Sequence, residues 1–304
     1  MAKNNNLHAA KNAKNDEFYT QLSDIEKELN NYKDFFNGKV VYCNCDDPRE
    51  SNFFKFFSMN FERLGLKKLI TTGYKKDGHG VAYVYEGDKN GNRKVDDNEI
   101  QVIQLQGNGG YETEECIAFL KEADVVVTNP PFSLFRDYVK QLMDYNKKFL
   151  IIGNSNAITY KEIFPYLKDN KLWLGMNWVK EFIQPNGEIK KFGNICWFTN
   201  IENKKRNQPL DLYRKYNPTD YPKYDNYDAI NVDKVTDIPE DYDGVMGVPI
   251  TFLDKYCPNQ FEIVGQLNVG CFMDENGWQG SKGKHMLMVN GKDVYKRILI
   301  KKVS

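Results

Sequence analysis

Residues 123–135 read "ADVVVTNPPFSLF". Three valines in a row predict a short strand buried on both faces, the signature of a parallel sheet. Asn129, Pro130, Pro131 and Phe132 follow with no polar spacer. Two prolines fix φ and remove two backbone donors, leaving carbonyls that still need partners. The strand therefore ends in a stiff turn that presents an amide, a rigid carbonyl and one aromatic ring.

Working outward, strands and helices alternate. "SLFRDYVKQLMDY" (133–145) reads as a helix, "KKFLIIGN" (147–154) as a strand and "TYKEIFPYLKDN" (159–170) as a helix. Upstream, "KVVYCNC" (39–45), "KKLITTGY" (67–74) and "EIQVIQL" (99–105) read as strands. "NFFKFFSMNFERLG" (52–65) and "TEECIAFLKEA" (113–123) read as helices. Within 16–36, Leu22, Ile25, Leu29, Tyr32 and Phe36 recur at helical spacing, with Ser23 and Glu26 matching a capping box. Residues 75–100 read as a hairpin or excursion turning at "GDKNGNR" (87–93). The pattern predicts an α/β fold with a doubly wound parallel sheet. After "IKKFGNICWFTNI" (189–201), a further strand, the chain becomes Pro-, Asp- and Tyr-rich. It then returns to strands, with Asn290-Gly291 as a hairpin turn. Three parts are expected: a flexible basic arm (1–15), a catalytic domain (16–200) and a smaller, irregular C-terminal segment (201–304).

Composition narrows the function classes. The 304 residues carry 42 basic and 42 acidic side chains. Such a balance neither demands nor excludes nucleic acid. Both ends are locally basic, which suits phosphate contact or, equally, solvated termini. No run of 18 apolar residues exists, so no membrane span is expected. "MAKNNNLHAAKNAKND" has no apolar core of a secretory signal, and the expected compartment is the cytoplasm. The six cysteines form no CxxC pair and the three histidines are far apart, so no metal site is expected.

In an open parallel sheet, ligands bind at the carboxyl ends of the strands, where strand order reverses. The loop after the first strand, Asp46 to Phe53, has no glycine. That argues against NAD, FAD or a P-loop nucleotide, whose phosphates need glycines for close backbone approach. S-adenosylmethionine needs less: carboxylates for its cations and hydroxyl or backbone donors for its carboxylate. The plain alternative is that Asp47 only caps the next helix. The Asn-Pro-Pro-Phe turn suits methylation of an exocyclic amine. The Asn129 side-chain oxygen and the Pro130 carbonyl can accept both amine hydrogens, turning the nitrogen lone pair toward a methyl donor. Phe132 offers a stacking face. Its plain alternative is a Pro-Pro turn that merely ends a strand.

Four blocks in order carry a resemblance: "DEFYTQ" (16–21), "VVYCNCDDPRESNFFKFF" (40–57), "NFERLGLKKLI" (60–70) and "VVVTNPPFSLFRDYV" (125–139). Together they closely resemble the EcoRI-type adenine-specific DNA methyltransferases, most strongly over about 16–200. "NGKDVYKRILIK" (290–301) fits as well. The resemblance implies a Rossmann-like class I methyltransferase fold, S-adenosylmethionine as donor and N6-methyladenine in duplex DNA as product. It implies Phe18, Tyr19, Thr20, Asp47, Pro48, Ser51 and Phe53 as cofactor-binding residues. Asn129, Pro130, Pro131 and Phe132 become the catalytic turn. It also implies base flipping, since a stacked adenine cannot reach the crevice.

The host role implied is restriction–modification, beside a restriction endonuclease, or an orphan enzyme, with a monomer and a GAATTC site as expectations. Lys204, Lys205, Arg206, Lys282 and Lys284 are candidate phosphate contacts, with sequence reading expected in 201–304 or the basic N-terminal arm. The chain departs from the broader methyltransferase pattern in three places. The first loop lacks glycines, "LITTGY" ends without an acid, and Gln106–Asn108 has no Asp. Two other readings remain. One keeps the chemistry on an RNA base or a protein glutamine; the other is an inactive fold that only binds nucleic acid.

Overall fold

The computed structural model describes residues 19–45, 47–183, 188–268, 271–274, 277–280 and 287–303. These divide into two compact units. The first comprises the described residues of Met1–Ala157 with Leu174–Ile201; the second comprises Ile158–Trp173 with those of Glu202–Ser304.

The first unit is built on a nine-stranded sheet. Its strands are β1 (Tyr19–Thr20), β2 (Val40–Cys43), β3 (Lys68–Gly73), β4 (Val81–Tyr85), β5 (Ile100–Gln104), β6 (Val125–Thr128), β7 (Lys148–Asn154), β8 (Trp173–Ile183) and β9 (Ile189–Thr199). The spatial order is β1-β8-β9-β7-β6-β2-β3-β4-β5. The inner strands β7, β6, β2 and β3 are parallel. Chain order runs outward from β2 to β3 on one side and from β6 to β7 on the other. The reversal point therefore lies between β2 and β6, where Val41 pairs with Val125 and Tyr42 with Val126.

Helices cover both faces. On one lie α1 (Leu22–Leu29), the 3-10 turn Asn30–Phe36, α2 (Asn52–Met59) and α3 (Phe61–Leu64). Ile25, Leu29, Phe36, Phe53, Phe56 and Phe57 pack there against Val41, Leu69, Val127, Ile152 and Trp197. On the other face lie α4 (Glu114–Glu122) and α5 (Phe135–Asp144). Their contacts include Phe119 against Tyr42 and Phe135 against Phe198. Burial on both faces explains why β2 and β6 are apolar without alternation. This is a Rossmann-like arrangement.

Three local expectations are corrected. "EIQVIQL" is not a member of the parallel run: β3–β4 and β4–β5 are antiparallel, and β5 is a half-exposed edge. The connection from Gly73 to Val81 is too short for a parallel crossover, which needs a dozen residues or more. The first helix begins at Leu22 with Gln21 as N-cap and no side-chain cap, so Ser23 and Glu26 form no capping box there. The reason is that Tyr19 and Thr20 are held extended by pairing with Ile183 and Phe182 of β8. The helix expected over 159–170 contracts to α6 (Phe164–Lys168), opened by Pro165.

Gly153, near the end of β7, lets α5 close onto the sheet. A Cβ built there would lie 2.4 Å from a ring carbon of Phe135, a residue almost wholly buried. Gly153→Ala is expected to destabilise the fold by about 1–3 kcal/mol through overpacking. Urea unfolding measures it, and an unchanged midpoint would mean that the ring has room to yield.

Glu28 locks α1 to β8. It is fully buried and its carboxylate accepts from Tyr32 Oη (3.0 Å), Met176 N (2.8 Å), Asn177 N (2.8 Å) and Asn177 Nδ2 (2.9 Å). Burial pushes its pKa up, against the four donors that favour the ionised form.

The second unit carries β10 (Ile230–Asn231), β11 (Met246–Pro249), β12 (Phe261–Asn268), β13 (Cys271–Asp274), β14 (Gly277–Gly280), β15 (Leu287–Val289), β16 (Lys292–Val294) and β17 (Arg297–Lys302). Six of them form a sheet in the order β10-β11-β17-β12-β13-β14. β15 and β16 form the expected hairpin. Asn290 and Gly291 turn it with φ of 50° and 73°, the left-handed pair a two-residue turn requires. Residues 202–245 are largely irregular, with short 3-10 turns. Among the described residues no helix is long and apolar enough to cross a membrane, and no group of three or more His, Cys, Asp or Glu is placed to hold a metal.

Candidate active site

The adjacency of β2 and β6 places the two loops singled out in the sequence side by side. They are tied together by bonds that converge on Asn44. Its carbonyl accepts from Thr128 Oγ1, at the last residue of β6, and its side-chain oxygen accepts from Tyr138 Oη on α5. Burial holds the Tyr138 hydroxyl well above its usual pKa, so it stays protonated and remains a donor. Cys45 then turns the chain at a φ of 71°.

In the loop after β2, Asp47 is exposed and Pro48 is buried. The Asp47 carboxylate accepts from Arg49 N (2.9 Å), and its carbonyl from Ser51 N (2.8 Å). The helix cap is Ser51, whose hydroxyl accepts from Phe53 N and Phe54 N at 3.2 and 3.4 Å. Asp47 therefore shapes the loop and does not cap α2. Phe53 is buried edge-on against Trp197, a core position.

In the loop after β6, Asn129 and Pro130 are buried, while Pro131 and Phe132 are half-buried. The Pro131 carbonyl accepts from Leu134 N (2.9 Å), closing a 3-10 turn over Phe132–Leu134 that leads into α5. The Phe132 ring stands edge-on to Phe182 of β8, 6.4 Å between centroids.

The N-terminal motif joins both loops. Thr20 is the strand partner of Phe182, and its carbonyl accepts from Asn52 Nδ2 (2.7 Å) at the start of α2. Thr20 is thus bonded directly to the start of α2 and linked to the Asn129–Phe132 turn through Phe182, while β1 itself is the edge strand of the sheet. Phe18 lies outside the described residues, as does the side chain of Tyr19. Asn44, Asn52, Tyr138 and Phe182 were not singled out in the sequence. Asn44 had a signal, as a polar interruption at the end of an apolar strand; the other three had none.

The residues present fit a polar, non-phosphate cofactor. Two buried hydroxyls, Thr20 Oγ1 and Thr71 Oγ1, have no hydrogen-bond partner among the described residues. Such atoms call for a ligand or water. Thr71 stands beside Cys43 at the carboxyl end of β2 and β3. These hydroxyls, with the exposed Asp47 carboxylate, match the ammonium, carboxylate and ribose groups of S-adenosylmethionine.

The candidate phosphate contacts lie in the second unit. Lys204 is exposed. Lys205 is paired with Asp254, and Arg206 lies 3.6 Å over the Trp173 ring while pairing with Glu202. Lys282 and Lys284 lie outside the described residues.

A family profile described as "Adenine-specific methyltransferase EcoRI" matches residues 6–303. The chain is 49% identical to the Type II methyltransferase M.EcoRI of Escherichia coli, over 99% of this chain and 97% of that protein. It is 39% identical to the Type II methyltransferase M.MgeORF184P of Mycoplasma genitalium, over 97% of this chain and 98% of that protein. It is also 39% identical to M.MpnI of Mycoplasma pneumoniae, over 97% of each.

Proposed function

Because the chain belongs to the EcoRI family of adenine-specific methyltransferases, we propose that it transfers a methyl group from S-adenosylmethionine to N6 of an adenine flipped out of duplex DNA. The observation that carries this reading is the meeting of the Asn129–Phe132 turn and the Asn44–Ser51 loop at the reversal point of the parallel sheet. When bound, the cofactor supplies an electrophilic sulfonium methyl. Thr20, Thr71 and Asp47 hold its polar groups. Asn129 Oδ1 and the Pro130 carbonyl accept the two hydrogens of the target amine. Both are fixed before reaction, so little reorganisation opposes the transfer. Phe132 stacks on the flipped base, offsetting part of the few kcal/mol that unstacking costs. The methylated nitrogen is cationic and sheds its proton without a strong base.

Lys205 and Arg206 have intramolecular partners, so Lys204 is the better phosphate contact of that cluster. The second unit is proposed to read the DNA sequence, and the enzyme to act as a cytoplasmic monomer, alone or beside an endonuclease. GAATTC is the first site to test, given the likeness to M.EcoRI. Labelled methyl transfer to plasmid DNA, RNA and protein extract, followed by nucleoside mass analysis, tests the reading. N6-methyladenine from duplex DNA is the expected product; label confined to RNA or protein would overturn it.

A further inference from the structure

A pocket of about 630 Å³ opens on the β8–β9 hairpin. Its lining is Trp178, Val179, Lys180, Glu181, Lys191, Phe192 and Gly193. The size falls within the ~300–1,000 Å³ range of sites that take small organic groups. The walls combine two aromatic rings with two lysines, and Lys190 lies 5.4 Å over the Phe192 ring. The acids nearby are Glu181, paired with Lys191 at 3.3 Å, and Glu188. The Lys191–Glu181 pair is exposed, so an incoming phosphate can replace it at little cost.

One packed ring links the wall of the pocket to the catalytic turn. Phe182, fully buried, touches Phe132 on one side at 6.4 Å and Phe192 on the other at 5.5 Å, edge-on in both cases. A chain of three rings thus runs from the amine-binding turn to the pocket wall. An occupant that presents a flat ring and an anion fits these walls. Aromatic faces with interleaved lysines are the chemistry that holds single-stranded nucleotides.

We infer that this pocket holds the nucleotide next to the flipped adenine on the same strand. Its base stacks against Phe192 and Trp178, and its phosphate is met by Lys180 and Lys191. The inference rests on the base-flipping reading above. It assigns the hairpin a positioning role: fixing the neighbouring nucleotide keeps the extruded adenine from returning to the stack.

Two variants test it. Phe192→Ala removes a stacking face. Gly193→Phe fills the pocket without crowding the fold, because a Cβ there meets nothing within 4 Å and its backbone is not left-handed. The probe is a short duplex carrying the methylated site mapped on plasmid DNA, with 2-aminopurine at the target adenine. Both variants are expected to bind it about tenfold more weakly and to lose most of the flipping fluorescence with cofactor affinity unchanged; Gly193→Phe also keeps the melting temperature, whereas Phe192→Ala lowers it because the ring packs on Phe182. In parallel, 5-iodouracil placed beside the target adenine is expected to photocross-link to the wild-type peptide holding Trp178 or Phe192. Wild-type binding and flipping in both variants, or cross-links that map elsewhere, overturn the inference. A wild-type enzyme that leaves duplex DNA unmethylated instead overturns the function on which it rests.

Discussion

Replacing Asn129 with alanine is expected to cut methyl transfer at least about a hundredfold while leaving cofactor binding nearly intact. Losing one preorganised contact to a reacting group costs about 2.7–4 kcal/mol in comparable sites. The fold should survive, because the turn is anchored on either side of residue 129. Thr128 is bonded to the Asn44 carbonyl, and the Pro131 carbonyl is bonded to Leu134 N. Neither anchor uses the Asn129 side chain. Single-turnover transfer to duplex DNA measures the loss, and calorimetric titration with S-adenosylmethionine measures the control. Unchanged turnover would remove Asn129 from its role. Equal loss of transfer and cofactor affinity would mark it as a residue that shapes the loop.

The second large effect concerns stability. Glu28→Ala is expected to cost about 3–5 kcal/mol, because it leaves several buried donors without an acceptor at about 1–3 kcal/mol each, less what relaxation recovers. The alanine leaves two backbone N–H groups of β8, the Asn177 amide and the Tyr32 hydroxyl facing an empty space. No side chain shares that space from the strand: a Cβ on Gly175 would sit 2.4 Å from Glu28 Oε1. Glu28→Gln keeps the shape but turns an NH₂ toward one pair of donors, and about half the loss is expected. Urea unfolding of both variants decides. A loss below about 1 kcal/mol for the alanine would show that water satisfies the donors.

The sequence was most informative where burial on both faces leaves a plain record. "VVYC" and "VVV" are apolar throughout because helices cover both sides; that the two strands lie side by side at the reversal point is set by their pairing, which the sequence left open. The turn chemistry of Asn129–Phe132 and of Asn290-Gly291 was equally legible, since few residue types tolerate such backbones. What stayed hidden depends on long-range pairing. Nothing local says that Tyr19 and Thr20 join β8, or that Glu28, on an apparently ordinary amphipathic helix, takes its donors from residues 176 and 177. The β4–β5 excursion read ambiguously because an edge strand that is half-exposed lacks the apolar run of its neighbours. Lys204–Arg206 look alike as three adjacent cations; only the fold separates one exposed lysine from two residues held by Asp254, Trp173 and Glu202.

The second unit draws on two stretches of chain, Ile158–Trp173 and the residues after Ile201, with a return to the first unit between them. The shorter stretch is not a bystander: Ile163, Phe164 and Leu167 are buried, and α6 packs on β12. Grafting therefore cannot be done at a single splice. A chimaera that exchanges only the C-terminal third between two relatives would bring a foreign β12 to a native α6, and a mismatched core with it. Moving the second unit intact means moving both stretches together, as a split cassette.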